Sequence, residues 1–252
     1  DSFRDFNFDI VMANPPFAGD VKESRILAKY DMSRSMSLEK VKTVPKNGTI
    51  VQQEPTFPDA LKNTGETIYQ MSDGTFRKTK LKQASNMSRD ILFVERNLDF
   101  LKPGGRMAIV LPQGRFNNSS DKALREYIAD RCRILAVVGL HGNVFKPHTG
   151  AKTSVLFVQK WDDTLCPRVD DYNIFFATMQ EPSKDNSGDK IYRNTTNEEG
   201  ENVPLLDAHG HLIVKHDLFN HDGLTNDGIA EAFTEFAKKE KLSFFVDAPL
   251  MK

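Results

Sequence analysis

The sequence predicts an α/β fold, a mainly parallel sheet with helical crossovers, on three observations. Short apolar runs recur at residues 8–13, 107–111, 134–140 and 152–158, rich in Val, Ile, Leu and Ala and bounded by proline, glycine or polar residues. Such runs mark strands buried on both faces. Residues 89–101 set Ile91, Leu92, Val94, Leu98 and Leu101 on one helical face, and a second helix is expected from Asn118–Ser120 to about Asp130. Strands that alternate with helices build a sheet through right-handed crossovers.

Each element carries its own signals. The run Phe8, Ile10, Val11, Met12, Ala13 ends at the proline pair Pro15-Pro16 and reads as the first strand; Asp1 to Asp5 form the loop that enters it. Residues 18–88 show no long periodic segment and hold Pro45, Pro55 and Pro58 with turn pairs Asn47-Gly48, Thr64-Gly65 and Asp73-Gly74. They read as a long inserted loop, with one hairpin over Thr67–Phe76 turning at Asp73-Gly74. Ser88 is placed to cap the 89–101 helix, Asp90 suits its first turn, and Lys102-Pro103-Gly104-Gly105 is expected to stop it. Beyond residue 160 the chain reads as an α+β appendage, with a strand near Asn173–Ala177, a polar and mobile stretch over 181–203, a hairpin over Leu205–Val214 turning on Asp207-Ala208-His209-Gly210, and a helix over 226–241. The apolar face of that helix, Ile229, Phe233, Phe236 and Ala237, is enough to dock on a core or on a partner subunit. The domain expectation is therefore residues 1–160, containing the inserted loop 18–88, and residues 161–252.

Composition narrows the class. At 252 residues with 39% apolar content the chain can bury a substantial core in one or two domains. The formal net charge of −1 does not announce a nucleic-acid binder, but residues 18–88 carry 12 Lys and Arg against 8 Asp and Glu. Cys132 and Cys166 are too few for a disulfide framework or a zinc knuckle, and a reducing cytoplasm fits. No run reaches the roughly 18 apolar residues of a membrane span, and no secretory signal pattern opens the chain. The absence of an initiator Met, a few residues before an internal-looking strand, raises the expectation of a fragment.

The chemistry concentrates at Asn14-Pro15-Pro16-Phe17. Ligands of open α/β sheets sit beyond the carboxyl ends of strands, where Asn14 is delivered. Pro15 removes the helical region from Asn14, and both prolines have fixed φ, so the turn is stiff before anything binds. Asn14 offers an amide oxygen, Pro15 a carbonyl, and Phe17 an aromatic face. Two acceptors beside a stacking plane suit a flat ring that bears an exocyclic amine. A basic run, Arg77-Lys78-Thr79-Lys80-Leu81-Lys82, follows the hairpin. It reads either as a clamp on backbone phosphates or as a solvated surface.

In order along the chain come Asn14-Pro15-Pro16-Phe17, the segment Asp90 to Pro112 with its Lys-Pro-Gly-Gly turn, Asn117-Asn118-Ser119-Ser120, and Thr149 to Phe157. This succession resembles the methylation subunit of type I restriction-modification systems, an N6-adenine DNA methyltransferase, over roughly residues 1–160. The resemblance implies the C-terminal part of a Rossmann-like S-adenosylmethionine-dependent methyltransferase sheet, closed by a hairpin of its last two strands. It makes Asn14, Pro15, Pro16 and Phe17 catalytic, with Asn14 and Pro15 also touching the edge of the cofactor. Arg77, Lys78, Lys80 and Lys82 become candidate DNA contacts. The implied partners are double-stranded DNA with a flipped adenine, S-adenosyl-L-methionine, and the specificity and restriction subunits; no membrane is involved. The family's glycine-rich cofactor turn, an Asp/Phe-x-x-x-Gly-x-Gly pattern, does not occur in these residues, so tight cofactor binding by the chain alone is not expected.

Other readings remain. The chain is alternatively a non-catalytic DNA-contacting or subunit-docking module, or it methylates a glutamine amide or an RNA base through the same turn. Gly150-Ala151-Lys152-Thr153-Ser154 lacks the spacing of a phosphate-binding loop, and a strand rather than a helix should follow it. His209, His211, His216 and His221, near Asp207, Asp217 and Asp222, match no standard metal-ligand frame, and no metal is assigned.

Overall fold

The computed structural model describes residues 6–46, 48–63 and 67–245. Asp1–Asp5, the expected entry loop, lies outside them, as do Asn47 and residues 64–66 of two expected turns. The chain forms two compact units, residues 1–107 with 114–132, and residues 108–113 with 133–252. The boundary expected at residue 160 falls inside the second.

In the first unit, β1 (Phe8–Ala13) leads through the Asn-Pro-Pro-Phe turn to β2 (Asp20–Val21) and the short α1 (Ser24–Leu27). β1 is the edge strand of a five-stranded sheet, which corrects the expectation of burial on both faces. Phe8, Ile10 and Met12 share one side and are exposed, Met12 at 81%. Among the described residues only Phe8 gains aromatic cover, from Phe6 and Phe100, with ring centroids 5.6 and 6.4 Å away. An apolar run of six has the same appearance at a sheet's centre and at its edge, so the sequence could not separate the two.

The segment expected to be a long loop is instead a second sheet. β3 (Arg34–Lys40), β4 (Thr49–Val51), α2 (Phe57–Lys62), β5 (Thr67–Gln70) and β6 (Phe76–Gln83) follow, with strands in the order β3-β6-β5-β4. β3 and β6 pair antiparallel along their full length, from Arg34 opposite Gln83 to Lys40 opposite Arg77. The expected hairpin is there, with Met71 N donating to Thr75 O at 2.9 Å and Gly74 at φ +78°. The other pairings join strands far apart in sequence, and each strand has a polar face, so no local period betrayed them. α2 starts with a capping box: Thr56 Oγ1 accepts from Asp59 N, and Asp59 Oδ2 accepts from Thr56 N at 2.9 Å.

After β7 (Met87–Ser88) comes α3 (Arg89–Phe100), the expected helix, with Val94 and Leu98 fully buried. Ser88 stands at its N-cap position but does not cap it with its side chain; its hydroxyl donates to Asp90 Oδ1 at 2.6 Å. Lys102 to Gly105 do not form a separate stop. The chain turns extended at Leu101 and continues as β8 (Leu101–Pro112). The expected second helix opens with a 3-10 turn at Ser119–Asp121 and continues as α5 (Lys122–Arg131), preceded by the short α4 (Gly114–Asn117).

The second unit holds β9 (Cys132–Gly139), β10 (Thr153–Lys160) and β11 (Phe175–Thr178), which extend the large sheet in the order β1-β8-β10-β9-β11. β11 runs parallel to β9 with Phe175 opposite Ala136. The polar 181–203 stretch contains a hairpin, β12 (Asn194–Thr196) with β13 (Asn202–Pro204). The Asp207–Gly210 turn forms as expected, with Leu206 bridging Leu212 and Gly210 at φ +80°. α6 (Ile229–Lys239) docks on its own unit, its Ala237 buried with Leu135 and Leu242, and Phe175 5.5 Å from Phe233. No helix among the described residues is long and apolar enough to cross a membrane.

One buried acid makes the first unit pH-sensitive. Glu95, on α3, is 4% exposed and accepts hydrogen bonds from Asp31 N and Met32 N, each 2.8 Å, which hold the turn into β3. Burial pushes its carboxyl up to about 6 despite these two donors. Because the folded pKa is raised, its contribution is fully present below about 4.5 and is lost as pH rises through about 6. A shift of this size is worth about 2 kcal/mol. In urea unfolding from pH 4.5 to 6.5, the stability of the native chain relative to Glu95→Gln should fall by about that amount; a pH-independent difference would refute the assignment.

Candidate active site

β1 hands the chain to Asn14 directly after Ala13. Asn14 is exposed, Pro15 is buried, Pro16 is exposed and Phe17 is half-buried. The turn thus joins an exposed Asn14 to a buried Pro15. No residue among those described hydrogen-bonds the Asn14 side chain, so both its oxygen and its NH2 group are open to a ligand.

The turn is tied down on its C-terminal side. Gly19 takes φ +94°, and a Cβ there would come within 3.2 Å of the Arg89 guanidinium. Its carbonyl accepts from Arg89 N at 3.1 Å. Immediately after it β2 pairs antiparallel with β7, Asp20 opposite Ser88 and Val21 opposite Met87. Asn86 Nδ2 donates to Asp20 Oδ2 at 2.9 Å. The motif turn is therefore fastened to the start of α3.

Sequence reasoning missed what fastens α3 in turn. Arg115 makes a two-pronged pair with Asp90, Nε to Oδ2 at 2.8 Å and Nη2 to Oδ1 at 3.0 Å. It also donates to Asp121 Oδ1 and to Ser88 Oγ, each at 2.9 Å. Asp90 is 0% exposed. Burial works against the charge on Arg115, and its bonds to Asp90 and Asp121 overcome that and hold its pKa above the usual range. The signal that was available is an arginine just beyond the carboxyl end of a buried strand, in Pro112-Gln113-Gly114-Arg115. Arg115, Asp121, Ser88, Asn86, Asp20 and Arg34 line a cleft of about 570 Å³. Asn14 to Phe17 are not among its lining residues.

The basic run divides between two faces. Strand alternation sets Lys78, Lys80 and Lys82 together, all exposed, opposite Glu39, Ser37 and Ser35 of β3. Glu39 is the one acid in those cross-strand positions and pairs with Lys80 Nζ at 2.5 Å and Lys78 Nζ at 3.9 Å. Arg77 projects to the other side, 3.9 Å from Asp73. The four residues expected to act together thus form a three-lysine face and a separate arginine. Thr153 and Ser154 are buried at the start of β10, and no helix follows Lys152, in line with the rejection of a phosphate-binding loop.

Residues 28–203, more than half of the chain, match the family described as N-6 DNA methylase, and the chain belongs to that family. The N6 DNA methylase expected from the ordered motifs is borne out at the level of the family. Asn14 to Phe17 precede the matched segment. Over 74 residues the chain is 34% identical to the type I restriction enzyme EcoEI methylase subunit of Escherichia coli, covering 29% of this chain and 15% of that protein. Among solved structures it is similar to the M protein of the type I restriction enzyme EcoKI, at 15% identity and a TM-score of 0.37, covering 97% of this chain and 45% of that one. A candidate class I S-adenosylmethionine-dependent methyltransferase of Listeria monocytogenes is 16% identical with a TM-score of 0.38, covering 69% of this chain and 37% of that one. The chain spans less than half the length of each of these relatives.

The Arg115 network predicts a large loss of stability on truncation. Arg115→Ala leaves Asp90 and Asp121 buried without their cation and should cost about 3–5 kcal/mol in chemical unfolding. Arg115→Lys should recover little of it, because one ammonium cannot span both carboxylates.

Proposed function

We propose that the chain is the target-base part of a site-specific DNA adenine N6-methyltransferase subunit of a type I restriction-modification system, with the turn from Asn14 to Phe17 as its base-binding part. The observation that carries this is the exposed, unpartnered amide of Asn14 beside a buried Pro15, in a chain of the N-6 DNA methylase family.

Adenine N6 is a weak nucleophile because its lone pair is delocalised into the ring. The Asn14 side-chain oxygen and the Pro15 carbonyl accept the two N6 hydrogens, which favours a more tetrahedral nitrogen whose lone pair points at the incoming methyl. This is orientation and electrostatic stabilisation, and it requires no strong general base. The base must leave the duplex to reach the turn. Stacking on Phe17 offsets part of that cost, at about 1–3 kcal/mol per base.

S-adenosyl-L-methionine supplies the methyl group when bound. The residues of this chain do not form its main site. The adjacent glycines Gly104-Gly105 lie inside β8, and a Cβ on Gly105 would meet Leu101 and the Lys102 carbonyl at 2.9 Å. That pair serves backbone packing rather than a ligand-binding turn. Asn14 and Pro15 contribute edge contacts to the cofactor at most. The methyl donor, the specificity subunit that reads the DNA sequence and the restriction subunit all come from outside these residues.

The basic face adds DNA affinity without sequence information: Lys78, Lys80 and Lys82 bind backbone phosphates. Replacing all three with alanine should flatten the slope of log affinity against log salt by about 0.9 for each phosphate no longer neutralised. Arg77→Ala should leave that slope unchanged.

Asn14→Ala, made in the full-length methylation subunit, should lower methyl transfer to duplex DNA by about 100-fold or more while leaving DNA affinity within about twofold. Undiminished transfer would refute the role of Asn14. Transfer to RNA or to a protein glutamine in place of duplex DNA would reassign the substrate.

A further inference from the structure

The fold gathers a set of metal-ligating groups that no spacing in the sequence announces. His216 is 8% exposed, Asp227 is 6% exposed and His221 is half-buried. The Nε2 atoms of His216 and His221 face each other at 2.9 Å. One ligand atom from each of the three residues lies within 4.8 Å of the others. Asp227 Oδ1 is engaged by Arg193 Nη2, but its buried Oδ2 accepts no hydrogen bond and lies 3.6 Å from His216 Nδ1. A buried carboxylate oxygen with no donor is costly unless a cation reaches it.

We propose that His216, His221 and Asp227 bind one divalent transition-metal ion of the zinc class. Two imidazoles and a carboxylate are a borderline-soft donor set that suits Zn²⁺ or Co²⁺ rather than Mg²⁺ or Ca²⁺. Nitrogens about 2.0–2.1 Å from such an ion sit about 2.9 Å apart at a right angle and about 3.3 Å apart in a tetrahedron. The observed 2.9 Å, which is also a hydrogen-bond distance between the two rings, equals the right-angle spacing. Local charge agrees with a dication. Asp227 and Glu181 both pair with Arg193, which also donates to the His216 carbonyl at 2.6 Å. Asp217 accepts from Gln180 N.

The ion would close a loop. His216 and Asp227 flank residues 217–226 and His221 lies among them, where His221 N donates to Thr225 Oγ1 at 3.1 Å and Ala230 N donates to Leu218 O at 2.8 Å. Phe219 packs on both imidazoles, 4.5 and 4.7 Å between ring centroids. Asp227 stands just before α6, so coordination fastens this loop to the start of the helix that carries Phe233 and Phe236 into the core. Binding energy is then folding energy for this part of the chain. The three protein ligands leave at least one position for water or a further donor.

The test is metal titration of the chelator-treated full chain. ZnCl₂ followed by calorimetry should give one site per chain, and CoCl₂ should produce the visible absorption band of a low-symmetry nitrogen and oxygen site. His221→Gln and Asp227→Asn should each weaken Zn²⁺ binding at least tenfold and abolish the rise in melting temperature that Zn²⁺ produces. If Asp227→Asn does not fold, the half-exposed His221 decides the matter, with circular dichroism confirming that His221→Gln is folded. The double variant His209→Ala, His211→Ala, on the exposed turn, should bind as the parent does. Absence of stoichiometric binding would overturn the proposal. So would binding that survives His221→Gln, or binding abolished by the His209 and His211 double variant.

Discussion

The first unit depends on one half-buried cation that pairs with two buried carboxylates. Arg115 leaves the end of β8 and meets Asp90 at the head of α3, Asp121 at the head of α5 and the hydroxyl of Ser88 on β7. Without Arg115 these two deeply buried carboxylates would lose the cation they pair with. The constraint propagates along the chain. Ser88 opposes Asp20 in the β2–β7 ladder, Arg89 holds the Gly19 carbonyl, and Gly19 ends the turn that begins at Asn14. A turn that is to present an amide to a substrate must be held rigid by its surroundings. Here the holding comes from residues about 75 to 100 positions downstream, not from the prolines alone.

Large parts of the fold were legible. β8, β9 and β10 contain the runs 107–111, 134–140 and 152–158, all but Leu140 and Lys152, because strands covered on both sides need continuous apolar sequence. α3 matched to within one residue because its buried stripe repeats at helical spacing. The β5–β6 hairpin followed from Asp73-Gly74, whose glycine takes the positive φ that turn needs. What failed to show was non-local. The β3–β6 pairing joins strands with polar outer faces across a long intervening segment, and a pattern of this kind is indistinguishable from loop until its partner is known.

The same distinction separates the parts of the candidate site. The Asn-Pro-Pro-Phe turn is contiguous, so its residues stand together in the sequence itself. The Arg115 network, the lysine face and the His216–His221–Asp227 set are each assembled by folding. The basic run read as four equivalent residues until strand alternation put Arg77 opposite Lys78, Lys80 and Lys82. Of the four histidines considered together in the sequence, the fold keeps His209 and His211 on an exposed turn and joins His216 and His221 to Asp227 rather than to Asp207, Asp217 or Asp222. The β1 strand shows the limit from the other side: its apolar letters were right for a strand and silent about which neighbours cover it.

The central claim is that the turn from Asn14 to Phe17 receives an extruded base. Photocrosslinking tests it most directly: a duplex carrying 5-iodouracil at the target adenine position is irradiated in complex with the full-length methylation subunit and its specificity partner, and the adduct is mapped by mass spectrometry. The account predicts attachment at Phe17. An adduct confined to residues outside 14–17, obtained with the same complex and with Phe17→Leu making no difference, would contradict it.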